Sequence, residues 1–265
     1  MSTESSPVVT ERADGVATVT LSRPDAMNSL DVRTKEALLA ALRDVAADPE
    51  VRCVVLTGTG RAFCVGQDLK EHVHLLAENA EQLWTTVRDH YNPVVELIAT
   101  MDKPVIAAVN GVAAGAGASF AFAADLRYVA ESAGFNLAFT GIGLSCDSGT
   151  SWSLPRLVGP GRAKELLYFP RTVRAQEALE LGLATEVVPD AELADRVAEV
   201  ARTLAAGPTR AYGAVRRAVA FSSSHALADS LDFEADMMTR TGTSEDHRAA
   251  VDAFLAKERP TFTGR

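Results

Sequence analysis

Cysteine is scarce in this chain of 265 residues, which has only Cys53, Cys64 and Cys146. An odd, widely spaced set gives no disulfide framework and no CxxC metal pattern. It favours a reduced, cytoplasmic chain. Positive charge is also in deficit: 26 Lys and Arg against 35 Asp and Glu leave a formal charge of -9. That balance argues against general nucleic-acid binding, which needs a basic face. An anionic ligand held locally by a few arginines and backbone N–H groups stays open. His72, His74, His90, His225 and His247 form no HExxH or other metal spacing, so no metal site is expected. The polar start Met1–Pro7 lacks the basic and apolar stretches of a leader peptide. One apolar run, Val105–Ala124, is long enough to raise a membrane span. Asn110 interrupts it, Asp125 ends it and glycines crowd its middle. It reads as a buried strand, a Gly-rich turn and a buried helix, with no membrane partner.

What is present is an ordinary folded composition, 47% hydrophobic and 23% charged. That supports one sizeable core, with at most a small appendage. Val8–Arg12 and Val16–Leu21 flank Asp14-Gly15 and predict a hairpin. Val32, Leu38, Leu39, Leu42 and Val45 fit one face of a helix over 31–47, which Asp48-Pro49 ends. Val51–Thr57, Pro104–Val109, Leu126–Ala130 and Thr185–Val188 read as short strands. Asp68–Met101 is mostly helical, with interruptions expected near Asn79 and Pro93. Gly111–Gly117 reads as a turn, Ala118–Ala124 as a helix, and Phe135–Gly149 as irregular. Helical pattern returns over Trp152–Val158, Ala163–Phe169 and Ala175–Leu181. Beyond Glu192 it continues over Leu193–Ala206, Arg210–Phe221, Leu227–Met238 and Glu245–Ala256. The expectation is an α/β core over residues 1–190 and a helical region over 191–265.

Two loop-to-helix junctions carry chemical interest. Asn110–Ser119 follows an apolar strand and opens an apolar helix. Its small residues let backbone approach a ligand, and free N–H groups at a helix start attract negative charge. The same small residues also suit tight helix packing. Gly60–Leu69 is a second such junction, with Asp68 as N-cap. Two junctions that meet would supply the paired amides of an oxyanion hole; the sequence leaves their meeting open.

The segment Arg61-Ala-Phe-Cys-Val-Gly-Gln-Asp-Leu69 resembles the A-F-x-x-G-x-D-L signature of the enoyl-CoA hydratase/isomerase, or crotonase, family. Lys103–Gly111 followed by Ala114–Gly117 is similar to the second signature. Leu21–Pro24 with Asn28–Leu30, and Ala253–Phe262, match in order. The resemblance covers essentially the whole chain. It implies a spiral of ββα units with C-terminal helices that build a homotrimer, or a hexamer of two trimers. It implies an acyl-CoA thioester as substrate, with coenzyme A part of that substrate and no further cofactor. It also implies oxyanion-hole amides at Gln67 and Ala116. Arg23, Ala26, Ala62, Val65, Gly66, Asp68, Leu69, Gly117 and Phe139 would line the coenzyme A and acyl moieties.

The family's hydratases use two glutamates, and those positions are Ser119 and Phe139 here. Neither is a carboxylate, which argues against ordinary water addition. A carboxylate follows in Gly143-Leu-Ser-Cys-Asp-Ser-Gly-Thr-Ser-Trp-Ser-Leu-Pro-Arg156. This stretch resembles the isomerases that act on ring-epoxidised phenylacetyl-CoA, with Cys146 where that branch usually has Pro. The resemblance makes Asp147 a single shuttling base: it takes the α proton and returns it at the γ carbon. Asp147 also suits a helix N-cap or a turn before Ser148-Gly149. Ser119 lacks a nucleophile elbow and reads as a helix serine. Arg88, His90, Tyr91 and Asn92 cover the acyl pocket or form ordinary helix surface. The leading expectation is an acyl-CoA isomerase. A hydratase with atypical acid/base residues and a non-catalytic acyl-CoA binder are the alternatives.

Overall fold

The computed structural model describes residues 6–265; Met1–Ser5, on which most of the leader-peptide reading rests, lie outside the described residues. β1 (Val8–Ala13) and β2 (Val16–Leu21) form the expected hairpin, turned by Asp14 and Gly15 at positive φ. Then come α1 (Val32–Ala47), β3 (Cys53–Gly58), β4 (Ala62–Cys64), α2 (Leu69–Glu78), α3 (Ala80–Thr86) and α4 (Asn92–Thr100). β5 (Val105–Val109), β6 (Val112–Ala114), α5 (Ala116–Ala123), β7 (Leu126–Ala130), β8 (Gly134–Asn136) and α6 (Thr150–Tyr168) make the middle of the chain. β9 (Thr172–Arg174), α7 (Ala175–Glu180), β10 (Glu186–Val188) and α8 (Leu193–Ala205) precede α9 (Thr209–Ser222), α10 (Leu227–Gly242) and α11 (Glu245–Ala256).

Two sheets organise the core. A six-stranded sheet runs β1-β2-β3-β5-β7-β10, parallel from β2 onward. A four-stranded sheet runs β4-β6-β8-β9. β3, β5 and β7 each pass from the first sheet to β4, β6 and β8 in the second before helical chain closes the turn. This is the expected spiral of ββα units. β5 is buried at all five residues, as a strand covered on both faces must be. α5 is buried at all eight, so it is apolar all round rather than amphipathic.

Three expectations need correction. The second sheet sits in stretches read as turn or irregular chain, because its strands are three residues each and too short to show a period. Pro93 does not break the helix. Val87–Tyr91 forms a π-helical turn, and the Asn92 N–H bonds back to the Val87 carbonyl. Pro93 then falls in the first turn of α4, where a missing donor is tolerated. Finally, α8, assigned from sequence to the C-terminal region, buries Leu193, Val197, Ala201 and Ala205 against β2, β3, β5 and β7. The cover of the sheet therefore extends to Ala205.

α9 is fastened by Arg216. Its Nε lies 2.8 Å from the Asp125 carboxylate, and its other nitrogens donate to the Lys103 and Ile98 carbonyls at 2.9 and 2.6 Å. α10 stacks Phe233 on Phe221 of α9, with ring centroids 4.3 Å apart. α10 and α11 leave Leu227, Leu231, Met238, Phe254 and Leu255 exposed. Among the described residues, no helix is long and apolar enough to cross a membrane.

Candidate active site

The two junctions meet. β4 and β6 are parallel neighbours, with Ala62 beside Val112 and Cys64 beside Ala113. Their following loops therefore leave the sheet at the same end. Glycine permits the contact: a Cβ on Gly117 would stand 2.2 Å from the Cys64 carbonyl oxygen. A Cβ on Gly66, which has φ of +81°, would stand 2.9 Å from the Ala114 oxygen and 3.3 Å from the Ala116 nitrogen.

Gln67 follows Gly66 in an extended segment beside Leu30. The Leu30 N–H donates to the Gly66 carbonyl at 2.8 Å, and the Asp68 N–H donates to the Leu30 carbonyl at 3.2 Å. Extended backbone alternates its direction, so the Gln67 N–H faces away from Leu30. Ala116 opens α5, where the first N–H groups have no intrahelical acceptor. Among the described residues, neither the Gln67 nor the Ala116 N–H has a backbone acceptor. Two unengaged amides thus lie in adjoining segments.

Asp147 stands before α6, and its carbonyl accepts the Thr150 N–H at 2.9 Å. Ser148 and Gly149 follow at φ of 52° and 71°, so two successive left-handed residues make the turn. The N-cap of α6 is Gly149, with no side-chain cap. Asp147 is therefore not the N-cap that one reading of the sequence allowed. Its carboxylate accepts from Ser148 Oγ at 2.8 Å. Burial pushes its pKa above the usual carboxylate range, and the Ser148 hydroxyl offsets part of that rise.

A hydroxyl bridge ties this turn to α5. Ser119 Oγ touches both the Gly115 carbonyl, at 3.0 Å, and Thr150 Oγ1. Thr150 Oγ1 lies 2.7 Å from the Asp147 carbonyl. Ser119 is thus a satisfied helix serine, as expected, and also a strut between the α5 N-terminus and Asp147. Phe139 is buried in the core just before the turn of 3-10 helix at Thr140–Ile142.

Arg23, Ala26, Val65, Gln67, Asp68 and Leu69 line a cleft of about 390 Å³. Asp68 does not offer it a free oxygen. One oxygen caps α2 through the Lys70 and Glu71 N–H groups; the other accepts from Ser29 Oγ at 2.9 Å and Arg23 at 3.2 Å. Burial alone would raise its pKa, but these donors outweigh it and hold it below the ordinary value. Arg23 also pairs with Asp31 at 3.1 Å. Ala62 is fully buried, and its carbonyl accepts from Asn28 at 2.8 Å and Asn110 at 3.2 Å. Gly117 is buried beneath Cys64. Of these three residues, Asp68 lines the cleft, while Ala62 and Gly117 are buried behind it.

Lys35 and Glu71 escaped the sequence reading as site residues, and Tyr91 entered it only as part of a cluster over the acyl pocket or on the helix surface. Of the cluster Arg88–Asn92, only Tyr91 turns inward and is buried. Its hydroxyl donates to Gln67 Oε1. Gln67 Nε2 donates to Glu71 Oε1 at 3.0 Å, and Lys35 Nζ reaches the same oxygen at 2.8 Å. Lys35 carried a readable signal. It stands three and four residues before Leu38 and Leu39, on the core face of α1, where a charge demands a partner. Among the described residues, no group of three His, Cys, Asp or Glu is placed to hold a metal ion.

Comparison with known proteins agrees with this architecture. The family model for enoyl-CoA hydratase/isomerase matches residues 11–265. The chain is 42% identical to the 1,2-epoxyphenylacetyl-CoA isomerase of Escherichia coli K12, covering 95% of this chain and 96% of that one. It is 44% identical to a Rhodobacter capsulatus protein described as "Probable enoyl-CoA hydratase", over 96% of this chain and 97% of that one. The crystal structure of an enoyl-CoA hydratase from Bacillus anthracis superposes with a TM-score of 0.92. There the identity is 33%, over 98% of this chain and all of that one. The chain belongs to the enoyl-CoA hydratase/isomerase family, the crotonases.

Proposed function

We propose that this chain isomerises an unsaturated or ring-epoxidised acyl-CoA thioester through a bound enolate. Asp147 removes a proton from the carbon α to the thioester. The C–H electron pair moves into the α-carbon–carbonyl bond, and the oxygen takes the negative charge. The N–H groups of Gln67 and Ala116 donate to that oxygen. Asp147 then returns the proton at the γ carbon, which moves the double bond. One carboxylate suffices, because the proton removed is the proton returned.

The observation that carries this reading is the Ser119–Thr150 bridge, which joins the Asp147 turn to the α5 N-terminus. A raised pKa suits a group that must both take and give a proton near neutral pH. Ser119 and Phe139 stand where the family's hydratases carry glutamates, and neither can activate water. The coenzyme A moiety occupies the cleft beside Arg23, Ala26, Val65 and Leu69 and needs no further cofactor. The exposed apolar residues of α10 and α11 support a homotrimer, or a hexamer of two trimers.

The test follows mass and conjugation of a 3-enoyl-CoA thioester, with 2-enoyl-CoA in parallel. Isomerisation conjugates the double bond at constant mass, whereas hydration of the 2-enoyl thioester adds one water. Hydration without isomerisation would remove this reading and favour a hydratase that draws its acid/base groups from elsewhere.

A further inference from the structure

Tyr91 touches both halves of the candidate oxyanion hole. Its hydroxyl donates to the Gln67 side chain. Its ring meets Phe120 of α5 edge-on, at 6.2 Å between centroids and 68° between planes. Phe120 lies one turn along the helix that Ala116 opens. The Lys35 ammonium stands over the same ring, 5.6 Å from its centroid. Tyr91 ends the π-helical turn Val87–Tyr91, a kind of bulge found often at functional sites. The Gln67 side chain is fixed at both ends, since Glu71 holds its amide nitrogen. Glu71 is itself held by Lys35 and by the Val32 N–H at 2.7 Å.

Leu30 holds the Gln67 backbone from one side. Gln67 lies in a loop, between Gly66 and the start of α2, and only one backbone bridge flanks it. The Leu30 N–H holds the carbonyl side of the Gly66–Gln67 peptide plane, and the Gln67 N–H points to the other side. If side-chain identity at Gln67 were immaterial, nothing would require a buried tyrosine and a buried lysine–glutamate pair to converge on it.

We propose that Tyr91 is a positioning residue that acts through the Gln67 side chain to hold the Gln67 N–H and the α5 N-terminus in register. The proposal rests on the isomerase reading above, because it assigns a purpose to that amide. It makes the Gln67 side chain part of the machinery, although only its backbone would meet the substrate.

The experiment uses the full-length protein and two readouts of enolate formation. One is turnover of a 3-enoyl-CoA thioester. The other is exchange of α protons for deuterium in phenylacetyl-CoA, whose α carbon is acidified by ring and thioester together. Tyr91→Phe removes only the hydroxyl and keeps the ring against Phe120. Gln67→Met keeps the backbone N–H and removes both side-chain bonds. Each should lower kcat and exchange about ten- to a hundredfold, the scale of a small misplacement of a catalytic group. KM and the affinity for free coenzyme A should stay near wild type. The double variant should be no slower than the slower single, because both changes cut one hydrogen bond. Full kcat in Tyr91→Phe, or losses that multiply in the double variant, would overturn the proposal and leave the isomerase reading intact. A wild-type protein that shows neither exchange nor turnover would remove both.

Discussion

The Asp147 carboxylate accepts a hydrogen bond from Ser148 Oγ at 2.8 Å and, among the described residues, from no N–H of the helix that follows. A capping carboxylate would be pinned by backbone donors and held in its ionised form. Burial of Asp147 raises its pKa instead, and the Ser148 hydroxyl offsets part of the rise. Asp147→Asn keeps the shape and removes the base. Turnover should fall about a hundred- to ten-thousandfold, the range for a general base. Affinity for free coenzyme A should not change. Full turnover in this variant, measured at saturating thioester, takes Asp147 out of the mechanism.

The same burial predicts a pH dependence. The base works ionised, so kcat/KM should climb with pH on the acid side and level off above the raised pKa of Asp147. That limb should lie above the ordinary carboxylate range near 4. It should vanish from whatever activity Asp147→Asn retains. A limb at an unperturbed carboxylate value would mean that Asp147 is solvated in the working enzyme.

Stability should move the opposite way. A carboxyl group whose folded-state pKa is raised favours folding below its unfolded pKa, where it is protonated in both states. That contribution is lost as pH rises through the folded pKa. At neutral pH the ionised, half-buried carboxylate is a burden on the fold. Asp147→Asn should therefore unfold at the wild-type temperature or above it at pH 7, with the gap closing towards about pH 4. Thermal unfolding at the two pH values checks this; a lower transition for the variant at pH 7 contradicts it.

Gly66 gives a geometric test of the paired junctions. An added Cβ would stand 2.9 Å from the Ala114 oxygen and 3.3 Å from the Ala116 nitrogen, on a backbone at φ of +81°. Gly66→Ala must shift one loop against the other, beside both free amides. Strain of about 1–3 kcal/mol is expected from the backbone conformation alone. Turnover should fall further than that loss of stability explains, because the protein that remains folded has misaligned donors. Wild-type turnover per folded molecule would show that the amides' separation does not matter.

Long elements were legible in the sequence and short ones were not. α1 shows its face through Leu38, Leu39 and Leu42, and β5 through a continuous apolar run. β4, β6, β8 and β9 span three residues each, less than two periods of a strand, so composition conceals them. The pairing of β4 with β6 brings Gly66 beside Ala116, so the meeting of the junctions lay beyond local pattern. Tyr91 was legible as one of a cluster, but its inward turn was not. A π-helical turn rotates it inward, and no periodicity of 3.6 anticipates that. Asp147 was visible as a residue type in a turn. Its freedom from capping depends on two successive left-handed residues, Ser148 and Gly149.

Lys35 and Glu71 offer a test that separates folding from catalysis. The Lys35 side chain is 2% exposed and that of Glu71 18%, so the pair is largely out of water. Lys35 also donates to Thr86 Oγ1 at 3.0 Å. Lys35→Met fills a similar volume but leaves the Glu71 carboxylate buried beside fewer donors. Removing one partner of a buried pair costs about 3–5 kcal/mol, while replacing both by apolar groups is often neutral. Lys35→Met should therefore lower the denaturant midpoint strongly, and Lys35→Met/Glu71→Leu should recover most of the loss. Turnover should not recover with it. Without Glu71, the Gln67 side chain loses its second anchor, and the double variant should stay slow although it is well folded. Equal stability losses in the single and double variants would mean that the pair's burial carries no such penalty. Restored turnover in the double variant would mean that Gln67 needs no hold from α2.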